Sequence, residues 1–123
     1  MISQKHIKDS ERKYVNIMCE SRNFAQRIAG SGCGKYSVCD LIVVQKGEVY
    51  LTEVKSTSAK ELRLTKDDIA QIKHMVRRSL ENPPLKAMLV IHWKRRGWQQ
   101  IQLEPEIDCL QQVYKFKKRR EAI

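Results

Sequence analysis

The sequence has no long apolar run and no paired cysteine spacing. No window approaches the roughly 20 apolar residues that a membrane-spanning helix requires, and the N-terminus lacks the apolar core of a signal peptide. The 4 cysteines are scattered, and no nearby histidine completes a zinc set with Cys33 and Cys39. These absences argue against a membrane protein, a zinc domain and a disulfide-rich secreted domain. They predict a cytoplasmic protein with free thiols.

Acidic residues are scarce relative to basic ones. The chain of 123 residues has 14 Asp and Glu against 24 Lys and Arg, a formal net charge of +10. This excess predicts a polyanionic partner, and nucleic acid fits best because each neutralised phosphate releases counterions. A membrane surface fits less well, since no segment is both strongly amphipathic and uniformly basic. The length predicts one domain over residues 1–123, with a basic tail over about residues 115–123.

Hydrophobic periodicity predicts an α/β fold in the order helix, three strands, helix, two strands. The first helix is expected to run from an N-cap at Ser10 to about Arg22. The second begins at a capping box formed by Thr65 and Asp68 and ends before Asn82. A weaker helix is expected after residue 105. The predicted strands are residues 24–29, 37–45, 48–56, 87–93 and 98–103, and the predicted buried face of the second helix is Ile69, Ile72, Val76 and Leu80.

The second and third predicted strands form a hairpin around Lys46-Gly47. If these two residues are the whole loop, counting outward places Asp40 directly opposite Glu53. Opposed residues of antiparallel strands point to the same face, with Cβ atoms roughly 4.5 to 5.5 Å apart. Lys55 follows Glu53 by two residues, so strand alternation places it on that face as well. The hairpin therefore predicts two carboxylates and one amine in a single cluster.

Two carboxylates at this separation repel each other, so a cation between them is expected. Mg²⁺ suits the position because it takes oxygen ligands, keeps several waters and also binds phosphate, and Mn²⁺ is expected to substitute. Lys55 would then orient or help deprotonate the attacking water and stabilise charge on the phosphoryl oxygens. The reaction predicted is metal-assisted phosphodiester hydrolysis. A solvated polar strand end remains the alternative, because a register slip of one residue turns Asp40 to the opposite face.

The spacing of Asp40 from Glu53-Val54-Lys55 resembles the motif of the PD-(D/E)xK nuclease superfamily. Further features, in their order and spacing, resemble the archaeal Holliday junction resolvase family over about residues 11–103. One departure is Cys39, which stands where the family often has a proline before the aspartate. That proline binds no metal. The further features are Glu11 near the start of the first helix, Gly30-Ser31-Gly32 before the motif, Cys39-Asp40-Leu41-Ile42, Leu51-Thr52-Glu53-Val54-Lys55, and Gly97-Trp98 opening a late strand.

The resemblance implies a homodimer that binds a four-way DNA junction and nicks two opposed strands symmetrically with Mg²⁺. It implies a restriction-endonuclease-like core, with a central mixed five-stranded sheet flanked by helices. By position, it makes Asp40 and Glu53 metal ligands, Lys55 the catalytic lysine, Glu11 an auxiliary acid at the metal and Ser31 a catalytic-loop hydroxyl.

Glu11 and the basic residues have simpler explanations as well. Glu11 shares a helical face with Val15 and Met18, but an acid in a first turn is also favoured by the helix dipole. A run of positive charge is commonly a solvated face, although here it would also suit a phosphate track. The candidate DNA-binding residues are Arg27, Lys35, Lys94, Arg95 and Arg96.

Two other functions stay open at this point. The same core also suits a restriction-like or repair endonuclease that cuts duplex or branched DNA. A non-catalytic basic DNA-binding module, in which the acidic residues are inert, would bind without cutting. A substrate panel with and without metal separates these functions.

Overall fold

A computed structural model of the chain describes residues 4–28, 38–104 and 112–117, with side chains described from residue 9 onward. In this part of the chain, no helix is long and apolar enough to cross a membrane. The helices and strands are α1 (Gln4–Glu20), β1 (Phe24–Arg27), β2 (Leu41–Gln45), β3 (Glu48–Thr57), β4 (Glu61–Arg63), α2 (Lys66–Glu81), β5 (Lys86–Trp93), β6 (Gly97–Leu103) and β7 (Val113–Lys115).

The main sheet has five strands in the order β1-β2-β3-β5-β6. It is mixed, because β3 and β5 are parallel while the other neighbouring pairs are antiparallel. Strand alternation divides β5 between two cores: Leu89 faces a core that contains Met75 of α2, and Val90 faces one that contains Tyr14 of α1. The two helices therefore cover opposite faces of the sheet. The predicted fold class is confirmed.

The β2–β3 hairpin has the predicted register. Gln45 pairs with Glu48, and the pairing continues outward to Leu41 and Thr52. Lys46 and Gly47 have φ angles of 53° and 77°. Two consecutive positive φ angles characterise the type I′ turn, whose twist matches that of the flanking strands. The two-residue loop is therefore confirmed, and it places the residue before β2 next to Glu53.

Helix α1 begins at Gln4, so the prediction of an N-cap at Ser10 is wrong. Ser10 lies inside the helix and is buried, and its hydroxyl forms a 3.1 Å hydrogen bond with Nδ1 of His92. A serine is a good N-cap because its hydroxyl replaces a missing backbone partner. Here the hydroxyl instead finds its partner on β5, a contact that no local pattern reveals.

Helix α2 has the predicted capping box at Thr65 and Asp68, but its buried face is shifted. Leu80 is 56% exposed, whereas Met75 and Ser79 are buried. The prediction of Leu80 as a buried residue is therefore wrong. The buried stripe passes through a small polar residue, Ser79, whose hydroxyl donates to the Val76 carbonyl at 2.6 Å. A polar residue at a core position hides the stripe from a hydrophobicity pattern.

A second sheet of two strands, β4 and β7, was not predicted. Its strands pair antiparallel, with Leu62 opposite Tyr114 and Glu61 opposite Lys115. Lys115 thus lies in a strand rather than at the start of a charged tail. Strand β1 ends at Arg27, two residues before its predicted end. The helix expected after residue 105 and the rest of the basic tail, from residue 118, lie outside the described residues.

Candidate metal centre

The hairpin brings Asp40 and Glu53 together. Asp40 directly precedes β2, and its backbone N–H donates to the Thr52 carbonyl at 3.0 Å. Its Oδ2 atom accepts a hydrogen bond from the Val54 N–H, also at 3.0 Å. The carboxylate therefore lies over β3 between Thr52 and Val54, and it comes within hydrogen-bonding reach of the Glu53 carboxyl group. We call Asp40 and Glu53 the acidic pair.

The acidic pair is electrostatically costly for the folded protein. Glu53 is only 7% exposed. Burial, and next the negative charge of Asp40, raise the pKa of Glu53 to about 8, although the Lys55 ammonium acts in the opposite direction. Desolvation and a neighbouring like charge both disfavour the ionised carboxylate. A bound cation would relieve both effects.

Lys55 lies on the same face of β3 as Glu53. Its Nζ is 3.7 Å from Glu53 Oε2 and 2.7 Å from Oδ1 of Asp68, in the first turn of α2. Burial tends to lower the pKa of Lys55, but the hydrogen bond with Asp68 and the nearby carboxylates outweigh it, and the pKa is raised. The amine is therefore held as a charged ammonium at neutral pH.

Glu11 is buried in the middle of α1 rather than at its start. The helix dipole therefore does not explain an acid at this position, because its effect falls off within the first turn. Its Oε1 accepts a 3.1 Å ion-pair hydrogen bond from Nε of Arg27. The negative charge of Glu11 also raises the pKa of Glu53, but less than burial and the charge of Asp40 do.

The role of Glu11 as an auxiliary acid at the metal stays a prediction. Over residues 4–28, 38–104 and 112–117, no group of three or more His, Cys, Asp or Glu side chains is arranged to hold one metal ion. The Glu11 carboxylate is close enough to Glu53 to affect its ionisation, and its Oε1 also pairs with Arg27. The structure thus places Glu11 at the border of the site.

The other predicted site residues fall into two groups. Ser31 and Lys35 lie outside the described residues. Lys94, Arg95 and Arg96 form the turn between β5 and β6, and the backbone N–H of Lys94 donates to the Thr57 carbonyl at the end of β3. Lys94 and Arg95 line two cavities of about 390 and 360 Å³ at this end of the sheet, and Arg96 lines the first of them. Ser58 also lines the first cavity. The second cavity is also lined by Asp9, Ser10, Lys13 and His92.

Sequence reasoning assigned Asp68 only to the start of a helix. The structure adds a contact of 2.7 Å from its Oδ1 to Lys55 Nζ. The sequence signal for this contact was the Asp at position 68, because the fourth position of a capping box usually holds Glu or Gln. The shorter Asp gave no indication of which residue it would meet, since Lys55 comes from a strand 13 positions away in the sequence.

We expect Glu53→Gln to stabilise the metal-free protein at high pH. The carboxyl group is neutral in the folded state below about pH 8 but ionises near pH 4.5 in the unfolded chain. Wild type therefore loses stability as the pH rises from about 4.5 to 8, and the variant does not. The free energy of unfolding, measured by urea denaturation in EDTA at pH 9, should be about 2 to 4 kcal/mol higher in the variant.

The matched control for this prediction is Glu81→Gln, which removes an exposed carboxylate at the end of α2. It should change the free energy of unfolding by less than about 0.5 kcal/mol. At pH 4 the difference between wild type and Glu53→Gln should disappear. An equal effect at both pH values would show that the change acts through packing rather than charge.

Comparisons with known proteins extend these observations. The chain matches the family described as Archaeal holliday junction resolvase (hjc) over residues 3–123. The structure of Hjc, a Holliday junction resolvase from the archaeal hyperthermophile Archaeoglobus fulgidus, is similar with a TM-score of 0.61 and 22% identity, covering 75% of this chain and 72% of that chain. At this identity the likeness shows a shared fold. A search of curated proteins gives no match. Because the family match spans nearly the whole chain, the chain belongs to the archaeal Holliday junction resolvase family.

Proposed function

We propose that this chain resolves four-way DNA junctions by symmetric, metal-dependent hydrolysis of two phosphodiester bonds. Family membership gives the class of activity, a junction-resolving endonuclease. The observation that carries the chemical proposal is the approach of two carboxyl groups, Asp40 and Glu53, beside the Lys55 ammonium. We expect the chain to act on DNA in the cytoplasm.

The acidic pair has the chemistry of a magnesium site. It offers hard oxygen donors, and the raised pKa of Glu53 reflects a place where a second negative charge is unfavourable without a cation. Mg²⁺ is commonly held by one or two carboxylates together with waters and substrate phosphate, so two protein ligands suffice. A bound Mg²⁺ would polarise the scissile phosphate and activate water. Mn²⁺ suits the same donors.

Asp40 and Glu53 are the proposed metal ligands, and Glu11 is the proposed auxiliary acid. The salt bridge with Arg27 keeps the Glu11 carboxylate oriented at the border of the site. Arg27 has a side chain that is 33% exposed, so it can hold Glu11 and still face a phosphate. This arrangement favours an auxiliary role for Glu11 beside the two carboxylates of the acidic pair, which are the proposed direct ligands of the metal.

Lys55 is the proposed catalytic lysine. A charged ammonium cannot accept a proton, whereas it can stabilise the negative charge that develops on phosphoryl oxygens. The raised pKa of Lys55 therefore favours charge stabilisation over general base catalysis. Its position on the same face as Glu53 directs it to the same phosphate.

The turn of residues 94–96 is proposed to form part of the DNA-binding surface. Its backbone is fixed to the end of β3, two residues after Lys55. Lys94 and Arg95 line both cavities at that end of the sheet, and Arg96 lines the first. Positive groups at this place would hold phosphates of the strand that enters the metal centre. Lys35, and Ser31 as a catalytic-loop hydroxyl, are proposed from the family resemblance. A homodimer is proposed because two symmetric nicks require two equivalent sites.

The proposal is tested with a synthetic four-way junction, a linear duplex and a flap, each incubated with Mg²⁺, Mn²⁺ or EDTA. We expect paired symmetric nicks on the junction with either metal and no cutting in EDTA. Cutting of duplex or flap as fast as the junction would favour the restriction-like or repair alternative. Binding without cutting under every condition would favour the non-catalytic module. Gel filtration of the same sample tests the homodimer.

A further inference from the structure

Asp68 links the first turn of α2 to the candidate metal centre through both oxygens of its carboxylate. Its Oδ2 accepts a hydrogen bond from the Thr65 N–H at 3.0 Å, while its own N–H donates to the Thr65 hydroxyl at 3.0 Å. Its Oδ1 is 2.7 Å from Lys55 Nζ, closer than the 3.7 Å between this Nζ and Glu53 Oε2. One carboxylate therefore closes the capping box and holds the lysine.

The capping box by itself does not account for this contact. Glu or Gln usually occupies this position and reaches back to the N-cap N–H. The shorter Asp68 makes the same bond and also has an oxygen directed at Lys55, which lies on β3. Asp67, in the same turn, is exposed and has no ion pair among the described residues. Lys55 is thus held by Asp68, the acid of this turn whose carboxylate is oriented by the capping box.

A lysine side chain is flexible and loses rotamer freedom when it is held in one geometry. An anchor is effective only if it is itself fixed, and the Asp68 carboxylate is fixed by the Thr65 N–H. The ion pair is also partly shielded, because the Lys55 and Asp68 side chains are 25% and 26% exposed. Salt and water therefore weaken it less than a fully exposed pair.

We propose that Asp68 is a positioning residue for junction cleavage, which anchors the Lys55 ammonium beside the acidic pair. The inference rests on the proposed nuclease function of that site. Without the anchor, Lys55 would sample several rotamers, some of them paired directly with Glu53. Such pairing would compete with a cation for the Glu53 carboxylate and would turn the ammonium away from the phosphate. In this role Asp68 acts through Lys55 and not through contact with the metal or the DNA.

The first test compares Asp68→Asn and Asp68→Gln with wild type under single-turnover conditions at saturating Mg²⁺. Both variants remove the charge, and Gln keeps the usual hydrogen-bonding capacity of a capping box. We expect the maximal rate of junction cleavage to fall about 10-fold in both, because a misplaced group loses much of its effect on the transition state. The dissociation constant for the junction, measured in EDTA, should change less than about two-fold.

Two control variants separate positioning from helix capping. Asp67→Asn removes an equal charge from the same turn, and Thr65→Ala removes the capping hydroxyl but keeps both partners of the ion pair. Both should cut within about two-fold of wild type, although Thr65→Ala should lower the thermal midpoint. In a Lys55→Ala background, Asp68→Asn should cause no further loss of rate, because the residue acts through the lysine.

The proposal is overturned if folded Asp68→Gln cuts at the wild-type rate, or if Thr65→Ala loses as much activity as Asp68→Asn. An additional loss in the Lys55→Ala background would also overturn it. Failure of the underlying nuclease function has a different signature, in which wild type does not cut the junction or Lys55→Ala cuts as well as wild type. Normal activity of Asp68→Gln together with an impaired Lys55→Ala rejects the positioning role alone.

Discussion

Asp40→Asn is expected to lower the rate of junction cleavage by about 10²- to 10³-fold while junction binding persists. Asn has nearly the same shape, and its side-chain oxygen can still accept the Val54 N–H bond that now holds the Asp40 carboxylate. The hairpin should therefore keep its geometry. The variant loses one of the two negative charges that attract the metal. Cleavage is measured at saturating enzyme with Mg²⁺, and binding is measured in EDTA.

Metal binding provides a second measurement on Asp40→Asn. A ligand that binds only the folded state raises its stability, so Mg²⁺ should raise the thermal midpoint of wild type. The same Mg²⁺ concentration should have little effect on the variant. Asp67→Asn, which changes an exposed acid, should behave as wild type in both measurements. Retained cutting by Asp40→Asn would show that the metal assignment is wrong.

Lys55→Met is expected to lower the maximal cleavage rate by about 10²- to 10³-fold at saturating metal. Methionine keeps most of the side-chain length but carries no charge to stabilise phosphoryl oxygens. The change also removes the positive charge that lowers the pKa of Glu53. Because this alters the charge beside the acidic pair, rates are compared across a full metal titration.

The control for this second prediction is Lys66→Met, an exposed lysine at the start of α2. It removes the same charge from the chain without changing the metal centre. Its maximal rate should stay within about two-fold of wild type. A reduced rate of Lys55→Met that high Mg²⁺ fully restores would show that the lysine only assists metal binding and has no direct part in cleavage.

Local chemistry explains why the hairpin could be predicted. Lys46-Gly47 favours a type I′ turn, and a turn of fixed length sets the register of the strands beside it. The approach of Asp40 and Glu53 then follows from counting residues outward. The capping box of Thr65 and Asp68 is equally local, since its two residues are three positions apart. These predictions needed no knowledge of the remaining chain.

Other elements depend on contacts that are distant in the sequence. Ser10 lies inside helix α1, and its hydroxyl forms a hydrogen bond with His92 on β5 instead of capping the helix. Strand β4 pairs with β7, which lies about 50 positions later in the chain. Leu62 is opposite Tyr114 in this pairing. Short strands such as these have weak intrinsic preferences, so the partner strand decides whether they form. Neither feature has a local signature strong enough to predict it.

The sequence by itself determined the α/β pattern, the positive charge and the meeting of two acids and a lysine across one hairpin. Each follows from composition or from turn and strand geometry within about 20 residues. Only the tertiary structure decided that Asp68 of α2 holds Lys55, and that Arg27 of β1 holds Glu11 of α1. These ion pairs join different elements, and their formation depends on how the helices pack on the sheet.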